Sequence, residues 1–207
     1  MSISSAKPET VNALLFAIDR LSAWAGKAAS WCIVALTAAV CYDVAARYVF
    51  NAPTQWGYDV AYMLYGTLFM LAGAYTLSRN GHVRGDVLYR FLSPRIQAGT
   101  DLALYLLFFV PGILALAWFG IGFAQDSWAM AERSQTSASN IPLYLLKMII
   151  PLAGGLLLLQ GLAEILRCVL CLRRGEWPQR LHDVEEVDID ELRAMMQQPE
   201  TQDGAGR

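Results

Sequence analysis

Residues 102–124 read LALYLLFFVPGILALAWFGIGFA and contain no charged side chain. A helix needs about 20 predominantly apolar residues to cross the hydrocarbon core of a bilayer, and this run is long enough. Three further runs of this kind are residues 28–46, 60–77 and 141–163. The chain has only 207 residues, of which 56% are hydrophobic and 16% charged, so a soluble core could not bury four such runs. The sequence therefore predicts an all-α membrane protein with four transmembrane helices.

The orientation in the membrane is predicted by the distribution of lysine and arginine between the connecting segments. The second connection carries Arg79, Arg84, Arg90 and Arg95, whereas the first has no basic residue and the third has only Arg133. Cytoplasmic segments collect positive charge. We therefore expect the N- and C-termini and the second connection to be cytoplasmic, and the first and third connections to face outward.

The four runs divide the chain into three parts. Residues 1–27 form an N-terminal segment, residues 28–174 form the membrane domain, and residues 175–207 form an acidic cytoplasmic tail that we expect to be flexible. The predicted spans cover about residues 28–50, 58–78, 101–124 and 141–166.

Two shorter helices are predicted to lie in the membrane interface. In the N-terminal segment, apolar residues recur at helical spacing, with polar residues on the opposite face. The apolar face comprises Val11, Leu14, Leu15, Ile18, Leu21 and Ala25, and the polar face Asn12, Asp19, Arg20 and Lys27. The second connection has a similar apolar stripe at Val87, Leu88, Phe91 and Leu92. Ser93 and Pro94 then provide the start signal of the helix that leads into span three.

The few charged residues near the spans favour structural roles. Asp43 and Arg47 are one helical turn apart and can neutralise each other, and Lys147 can extend towards the outer surface. Gln160 and Glu164 share one face of span four, and Arg167 lies one turn further on. None of these positions forms the central acid or the arginine ladder that a proton relay or a voltage sensor would need.

Several functional classes are not supported by the residues. His82 and His182 lie outside the spans, so the spans offer no histidine ligands for haem. The sequence also lacks a nucleophile–base pair, a metal-ligand cluster and a phosphate-binding loop, so we expect neither an enzyme nor a cofactor. The acidic tail does not favour nucleic acid as a partner. The four cysteines are interpreted as small packing residues.

Glycine and proline indicate how the helices pack. Gly66 and Gly73 in span two, like Gly154 and Gly161 in span four, are seven residues apart, which places small residues on one helix face. Kinks are expected near Pro111 in span three and Pro151 in span four.

Two motifs carry a resemblance to a known family. Residues 46–59 read ARYVFNAPTQWGYD and residues 73–90 read GAYTLSRNGHVRGDVLYR. Together they resemble the small membrane subunit of tripartite ATP-independent periplasmic (TRAP) transporters, in which RYVFN-x-P-x-x-W-x-x-E/D is followed by a G-H-V/I-R-x-D signature. WAMAERS at residues 128–134 is similar to the longer members. Two positions depart from the pattern: Asp59 replaces the usual glutamate, and Gly85 replaces a valine.

The resemblance implies a multi-pass protein of the bacterial inner membrane that has two protein partners besides membrane lipid. A soluble periplasmic binding protein captures an organic acid, and a large multi-span subunit carries it inward with a sodium gradient. The small subunit braces the large one and helps to receive the binding protein. The motif residues are then candidates for structural or partner-interface roles: Arg47, Asn51, Trp56, Asp59, His82, Arg84, Asp86, Trp128 and Glu132.

Within this set, two corners are expected. His82, Arg84 and Asp86 would fix the cytoplasmic corner after span two through charge-assisted hydrogen bonds. Trp56 and Asp59 would anchor the outer corner, with Arg47 within reach.

Two other interpretations stay open at this point. One is an autonomous four-helix transporter that acts as a homodimer, for which Asp43 is the only candidate for the coupled acid. The other is a membrane scaffold or sensor whose acidic tail binds a cytoplasmic protein.

Overall fold

A computed structural model describes residues 8–79 and 92–178 of the chain, and these residues are mainly helical. The α-helices are α1 (Pro8–Tyr48), α2 (Gly57–Ser78), α3 (Pro94–Leu104), α4 (Val110–Ala129) and α5 (Tyr144–Arg174), with a π-helical turn at Tyr105–Phe109. Four continuous stretches are long and apolar enough to cross a membrane: Val11–Tyr48, Gly57–Ser78, Pro94–Ala129 and Tyr144–Arg174. The prediction of four membrane-spanning helices is confirmed.

Helix α1 corrects the predicted boundary at residues 27 and 28. The N-terminal segment is helical, but it continues without a break into span one to give a single helix of 41 residues. At roughly 1.5 Å per residue the helix is about 60 Å long, about twice the thickness of the hydrocarbon core. About half of α1 must therefore extend beyond the hydrocarbon. That its first part lies in the interface stays a prediction.

The first half of α1 packs on the bundle partly through its predicted polar face. The residues that face the protein interior are Leu15, Asp19, Ser22, Ala25 and Ala29, whereas Leu14 and Leu21 are exposed. Asp19, expected on the polar face, is only 2% exposed. The periodicity identified a helix correctly, but it did not predict the burial of Asp19, which depends on polar contacts with α5.

Span three begins as the sequence predicts. Ser93 is extended, with φ −63° and ψ 151°, and Pro94 is the first residue of α3. The π-helical turn lies just before Pro111, which has no N–H and whose ring would clash with the carbonyl of Leu107 in a regular α-helix. The wider turn accommodates that clash. The predicted interfacial helix at residues 87–92 lies almost wholly outside the described residues.

Helices α2 and α5 form the centre of the bundle. Helix α1 packs along α2, α2 packs on α5, and α4 packs on the other side of α5, where α3 also lies. A methyl group at Gly154 would lie 3.3 Å from Cα of Ala117, and one at Gly66 would lie 3.3 Å from Leu146. The predicted role of these glycines in close helix packing is confirmed.

The two ends of the bundle can be named by what they contain. The hairpin end holds the connections at residues 49–56 and 130–143. The terminal end holds the start of α1, the start of α3 and the end of α5, where Gly175 terminates the helix in the left-handed conformation with φ 83°. Near this end Cys168 and Cys171 are buried against Ala98, as expected of packing residues.

Candidate functional site

Five deeply buried polar side chains form one cluster at the terminal end. Asp19 and Ser22 come from α1, and Gln160, Glu164 and Arg167 come from α5; each is at most 2% exposed. Because ions are costly to remove from water, such a group is stable only when its charges are paired and hydrogen-bonded.

The guanidinium of Arg167 joins the two acids of this polar cluster. Its Nη2 donates to Oδ2 of Asp19 at 2.5 Å, and its Nη1 donates to Oε1 of Glu164, also at 2.5 Å. The first contact links residues 148 positions apart in the chain. Arg167 is thus an ionic tie between the first and the last helix.

The amide of Gln160 completes the polar cluster. Its Nε2 donates to Oδ1 of Asp19 at 3.0 Å and to Oε1 of Glu164 at 3.3 Å. Its Oε1 accepts a hydrogen bond from Oγ of Ser22 at 2.8 Å. The side chain uses both its donor and its acceptor. The polar contacts extend over about one turn of α1 and about two turns of α5.

The sequence revealed half of this cluster. Gln160, Glu164 and Arg167 lie at helical spacing on α5, and their shared face was predicted. The contribution of α1 was missed because Asp19 was assigned to the opposite face. The available signal was the spacing of Asp19 and Ser22, three residues apart and in line with the small residues Ala25 and Ala29.

At the hairpin end, Asp43 fixes the corner between α1 and α2. Its Oδ2 accepts from Nη2 of Arg47 at 3.0 Å, which confirms the predicted pair. Its Oδ1 accepts from the backbone N–H of Thr54 at 3.1 Å and from the Thr54 hydroxyl. Gly57 lies close by, where a methyl group would be 2.5 Å from Oγ1 of Thr54, so this position needs glycine.

The motif residues of this corner have local roles. Asn51 has a φ of 51°, a left-handed conformation that asparagine tolerates better than most residues. The ring of Trp56 stacks on Tyr42 with centroids 5.8 Å apart. Asn51 thus shapes the connection itself, and Trp56 joins the connection to the end of α1.

Asp59 is buried at the start of α2 and ties this helix to the third connection. It is 2% exposed and accepts a hydrogen bond from the hydroxyl of Ser137, which lies 2.6 Å from the hydroxyl of Ser139. The sequence placed Arg47 within reach of Asp59, but the guanidinium of Arg47 donates to Asp43. Asp59 therefore joins the start of α2 to the third connection; that this corner faces outward stays a prediction.

The third connection is held to α5 by a second ion pair. Nζ of Lys147 donates to Glu132 and lies 4.0 Å from the ring centroid of Phe123. The donation from Lys147, with a smaller contribution from the Ser127 hydroxyl, holds the pKa of the Glu132 carboxyl below its ordinary range. Beside it, Trp128 meets Tyr144 edge to face at 4.9 Å between ring centroids.

The carboxylates of the polar cluster and of the hairpin end serve contacts within the chain. Among residues 8–79 and 92–178 no group of three or more His, Cys, Asp or Glu side chains is arranged to hold a metal ion. The carboxylates described above are bound to arginine, lysine, glutamine, serine or threonine of the same chain. The predicted cytoplasmic corner of His82, Arg84 and Asp86 lies outside the described residues.

Comparison with known protein families identifies the family of this chain. The model of the family described as tripartite ATP-independent periplasmic transporters, DctQ component, matches residues 36–171, about two thirds of the chain. The matched region contains the four residues Asp43, Thr54, Asp59 and Glu132 of the hairpin end and the α5 half of the polar cluster, but not Asp19 or Ser22. A search of curated proteins finds no significant match.

Proposed function

Because the chain belongs to the DctQ component family of tripartite ATP-independent periplasmic transporters, we propose that it is a non-catalytic brace for the large transport subunit of such a system. In this proposal the complex lies in the bacterial inner membrane and imports organic acids with a sodium gradient. The large subunit carries the substrate and the sodium ions. This chain holds that subunit in the membrane and helps to dock the periplasmic binding protein.

The observation that carries the bracing role is the contrast between the polar and apolar groups of the bundle. The polar cluster uses its charges to join α1 to α5, and the charges of the hairpin end hold the connections against helices of the same chain. The outer surface instead presents large apolar side chains, such as Trp31, Trp118 and Phe119, each more than 70% exposed. A surface of this kind suits contact with lipid and with another membrane protein. The polar groups of the interior already form hydrogen bonds and ion pairs within the chain.

The geometry of Asp43 argues against the autonomous transporter. A coupled acid must exchange a proton or an ion during transport, so it needs a cavity and a changeable set of partners. The Asp43 carboxylate instead has three donors, from Thr54 and Arg47, that also set the corner between α1 and α2. Its protonation would release that corner, which favours a structural role.

The docking role is supported by the hairpin end, which we expect on the outer side from the distribution of lysine and arginine. Asp43, Asp59 and Glu132 hold both connections at defined positions against the helices. Next to them Tyr48, Val49 and Phe50 are 73–80% exposed. A rigid outer surface with exposed side chains is what a soluble partner could recognise with little ordering cost.

The test is purification of the tagged chain from its native host in mild detergent, followed by mass spectrometry of the proteins recovered with it. A tagged four-span protein of unrelated family serves as the control. We expect a large multi-span membrane protein to be enriched only with this chain. Recovery of a stable homodimer alone would contradict the proposal and favour the autonomous transporter. Recovery of only a soluble protein, lost on removing residues 179–207, would favour the scaffold.

A further inference from the structure

Three exposed arginines from two helices meet where α5 ends. Arg173 and Arg174 belong to the last turn of α5, and Arg95 belongs to the first turn of α3. The guanidinium of Arg95 lies over the end of α5, because a methyl group at Gly175 would be 3.5 Å from its Nε and 3.6 Å from its Nη2. We call these three arginines the arginine patch.

The arginine patch has no ion-pair partner within the part of the chain that the structure describes. The ion pairs found there belong to Arg47, Lys147 and Arg167. The acid nearest to the patch in sequence is Glu176, which is exposed as well. Since three positive charges stand against this one negative charge, the end of α5 attracts an anionic group.

The chain leaves α5 at a fixed place beside the arginine patch. The indole Nε1 of Trp177 donates to Oε1 of Gln97 on α3 at 3.2 Å, which holds the chain that follows α5 against α3. Pro178, where the described part of this end stops, lines an open groove of about 240 Å³ together with Arg174. Residues 179–207 therefore start next to the patch.

The segment that follows is strongly acidic. Residues 183–191 read DVEEVDIDE and contain six acids and no base. Five steps along the chain separate Asp183 from Pro178, and these can span at most about 18 Å. A group tethered at so short a distance has an effective concentration on the order of millimolar, so ion pairs that are individually weak can hold it in place.

We infer that residues 183–191 dock on the arginine patch of their own chain through ion pairs between their carboxylates and the three guanidiniums. Arginine suits this role because its planar group can donate two parallel hydrogen bonds to one carboxylate. The docked segment shields the end of α5 from other anions. The inference does not depend on the bracing role, so either proposal can fail without the other.

The phosphate of an anionic lipid headgroup offers the same charge to the arginine patch. The acidic segment has two advantages over it. It is tethered a few residues from the patch, and its six carboxylates exceed the number of guanidiniums. We therefore expect the segment to occupy the patch and to compete there with lipid.

Hydrogen exchange of the full-length chain in mild detergent, followed by mass spectrometry, tests the inference. The variant R95Q/R173Q/R174Q removes the patch and leaves the acidic segment unchanged, and R133Q, at an exposed arginine of the third connection, is the matched control. At low salt we expect residues 183–191 to exchange about threefold faster in the patch variant and at the unsubstituted rate in the control. Equal rates in all three proteins would overturn the inference.

Two changes of condition identify the contact. At about 1 M salt, where charges are screened beyond roughly 3 Å, the unsubstituted chain should exchange in this segment as fast as the patch variant. Tenfold dilution of the protein should change nothing, because the segment and the patch belong to one molecule. Protection that disappears on dilution would assign the contact to a second copy and overturn the inference.

A second experiment leaves α5 and the arginine patch intact. The variant D183N/E185Q/E186Q/D188N/D190N/E191Q neutralises the segment, and E200Q/D203N changes two acids beyond it as the control. After equilibration with phosphatidylglycerol in detergent, native mass spectrometry counts the lipids bound to each protein.

We expect the neutral segment to let the chain retain about threefold more phosphatidylglycerol, because the patch is uncovered, and the control to match the unsubstituted chain. Equal lipid retention in all three proteins would show that the segment does not cover the patch. An equal rise in the control would show that residues 183–191 are not the segment that docks. Either result would overturn the inference.

Discussion

The two ends of the bundle use charged residues in opposite ways. At the terminal end, Asp19 and Arg167 meet across 148 residues of chain and are almost inaccessible to solvent. At the hairpin end, Asp43 and Arg47 are four residues apart, and the arginine side chain remains 52% exposed. One set of contacts joins helices that are distant in sequence, and the other shapes the local connections.

This difference determines how much each end depends on its charges. Removing one partner of a buried ion pair leaves an uncompensated charge and costs about 3–5 kcal/mol, whereas an exposed pair contributes about 0–1 kcal/mol. The terminal end should therefore be the sensitive one. The hairpin end should tolerate the loss of Arg47, because this side chain is exposed and water can replace it beside Asp43.

The largest effect is expected for Arg167→Met. The change leaves Asp19 and Glu164 buried without their common cation, so we expect a loss of about 3–5 kcal/mol in stability. Thermal unfolding in mild detergent measures it. Arg173→Met, in the exposed last turn of the same helix, is the matched control. Equal melting temperatures for the two variants would remove the distinction between the two ends.

A somewhat smaller effect is expected for Asp19→Ala, because Arg167 keeps Glu164 as a partner. The substitution breaks the tie between α1 and α5, so the first half of α1 should exchange its amide hydrogens faster while α2 and the hairpin end are unchanged. Hydrogen exchange followed by mass spectrometry measures this change. The neighbouring exposed residue gives the control Arg20→Ala. Faster exchange in both variants would show that the polar cluster does not hold α1.

The third prediction concerns packing near the terminal end. A methyl group at Gly26 would lie 2.4 Å from Cβ of Tyr75, an atom that cannot move without its backbone, so Gly26→Ala must push α1 away from α2. We expect a loss of about 1–3 kcal/mol in the same unfolding assay. Gly155→Ala, where no atom lies within 4 Å of the added group, should be neutral or stabilising. A neutral Gly26→Ala would show that the contact between α1 and α2 is loose.

The smallest effect is the pH dependence of the hairpin end. The pKa of Glu132 is below its ordinary range because Lys147 donates to it, so the unfolded chain binds the proton more readily than the folded one. Its contribution is therefore complete at neutral pH and is lost as the pH falls below the ordinary glutamate pKa and through the lowered value.

Melting temperatures measured between neutral and acidic pH in the unsubstituted chain and in Glu132→Gln test this contribution. In Glu132→Gln the melting temperature should fall less on acidification, because the Glu132–Lys147 pair is already absent. Asp126→Asn, which changes an exposed acid near the same end, should show the same fall as the unsubstituted chain. Identical pH profiles for Glu132→Gln and the unsubstituted chain would show that the pair is not maintained in solution.

Much of the fold could be predicted from local patterns. The length and composition of the apolar runs identified four spans, Ser93 and Pro94 marked a helix start, and Asp43 and Arg47 were paired from their spacing alone. The motif residues led to the family that the comparison confirmed. Each of these signals is contained within one or two helical turns, where helix geometry fixes which side chains are neighbours.

What failed were statements that required a partner from elsewhere in the chain. The continuity of α1 across residues 27 and 28 was not predicted. Lys27 directly precedes the apolar run of span one, and a charged residue at that place resembles the end of a separate segment. The burial of Asp19 was missed because its partners lie on α5. The partner of Asp59 proved to be Ser137, 78 residues away, and no local rule selects it.

The sequence by itself determined that this chain is a four-span helical membrane protein, because the hydrocarbon core imposes a length and a composition that can be read one segment at a time. Only the tertiary structure decided which face of each helix is inward and where the polar cluster forms. Burying Asp19 is favourable only when Arg167 and Gln160 are already opposite it, so its position depends on the packing of α1 against α5.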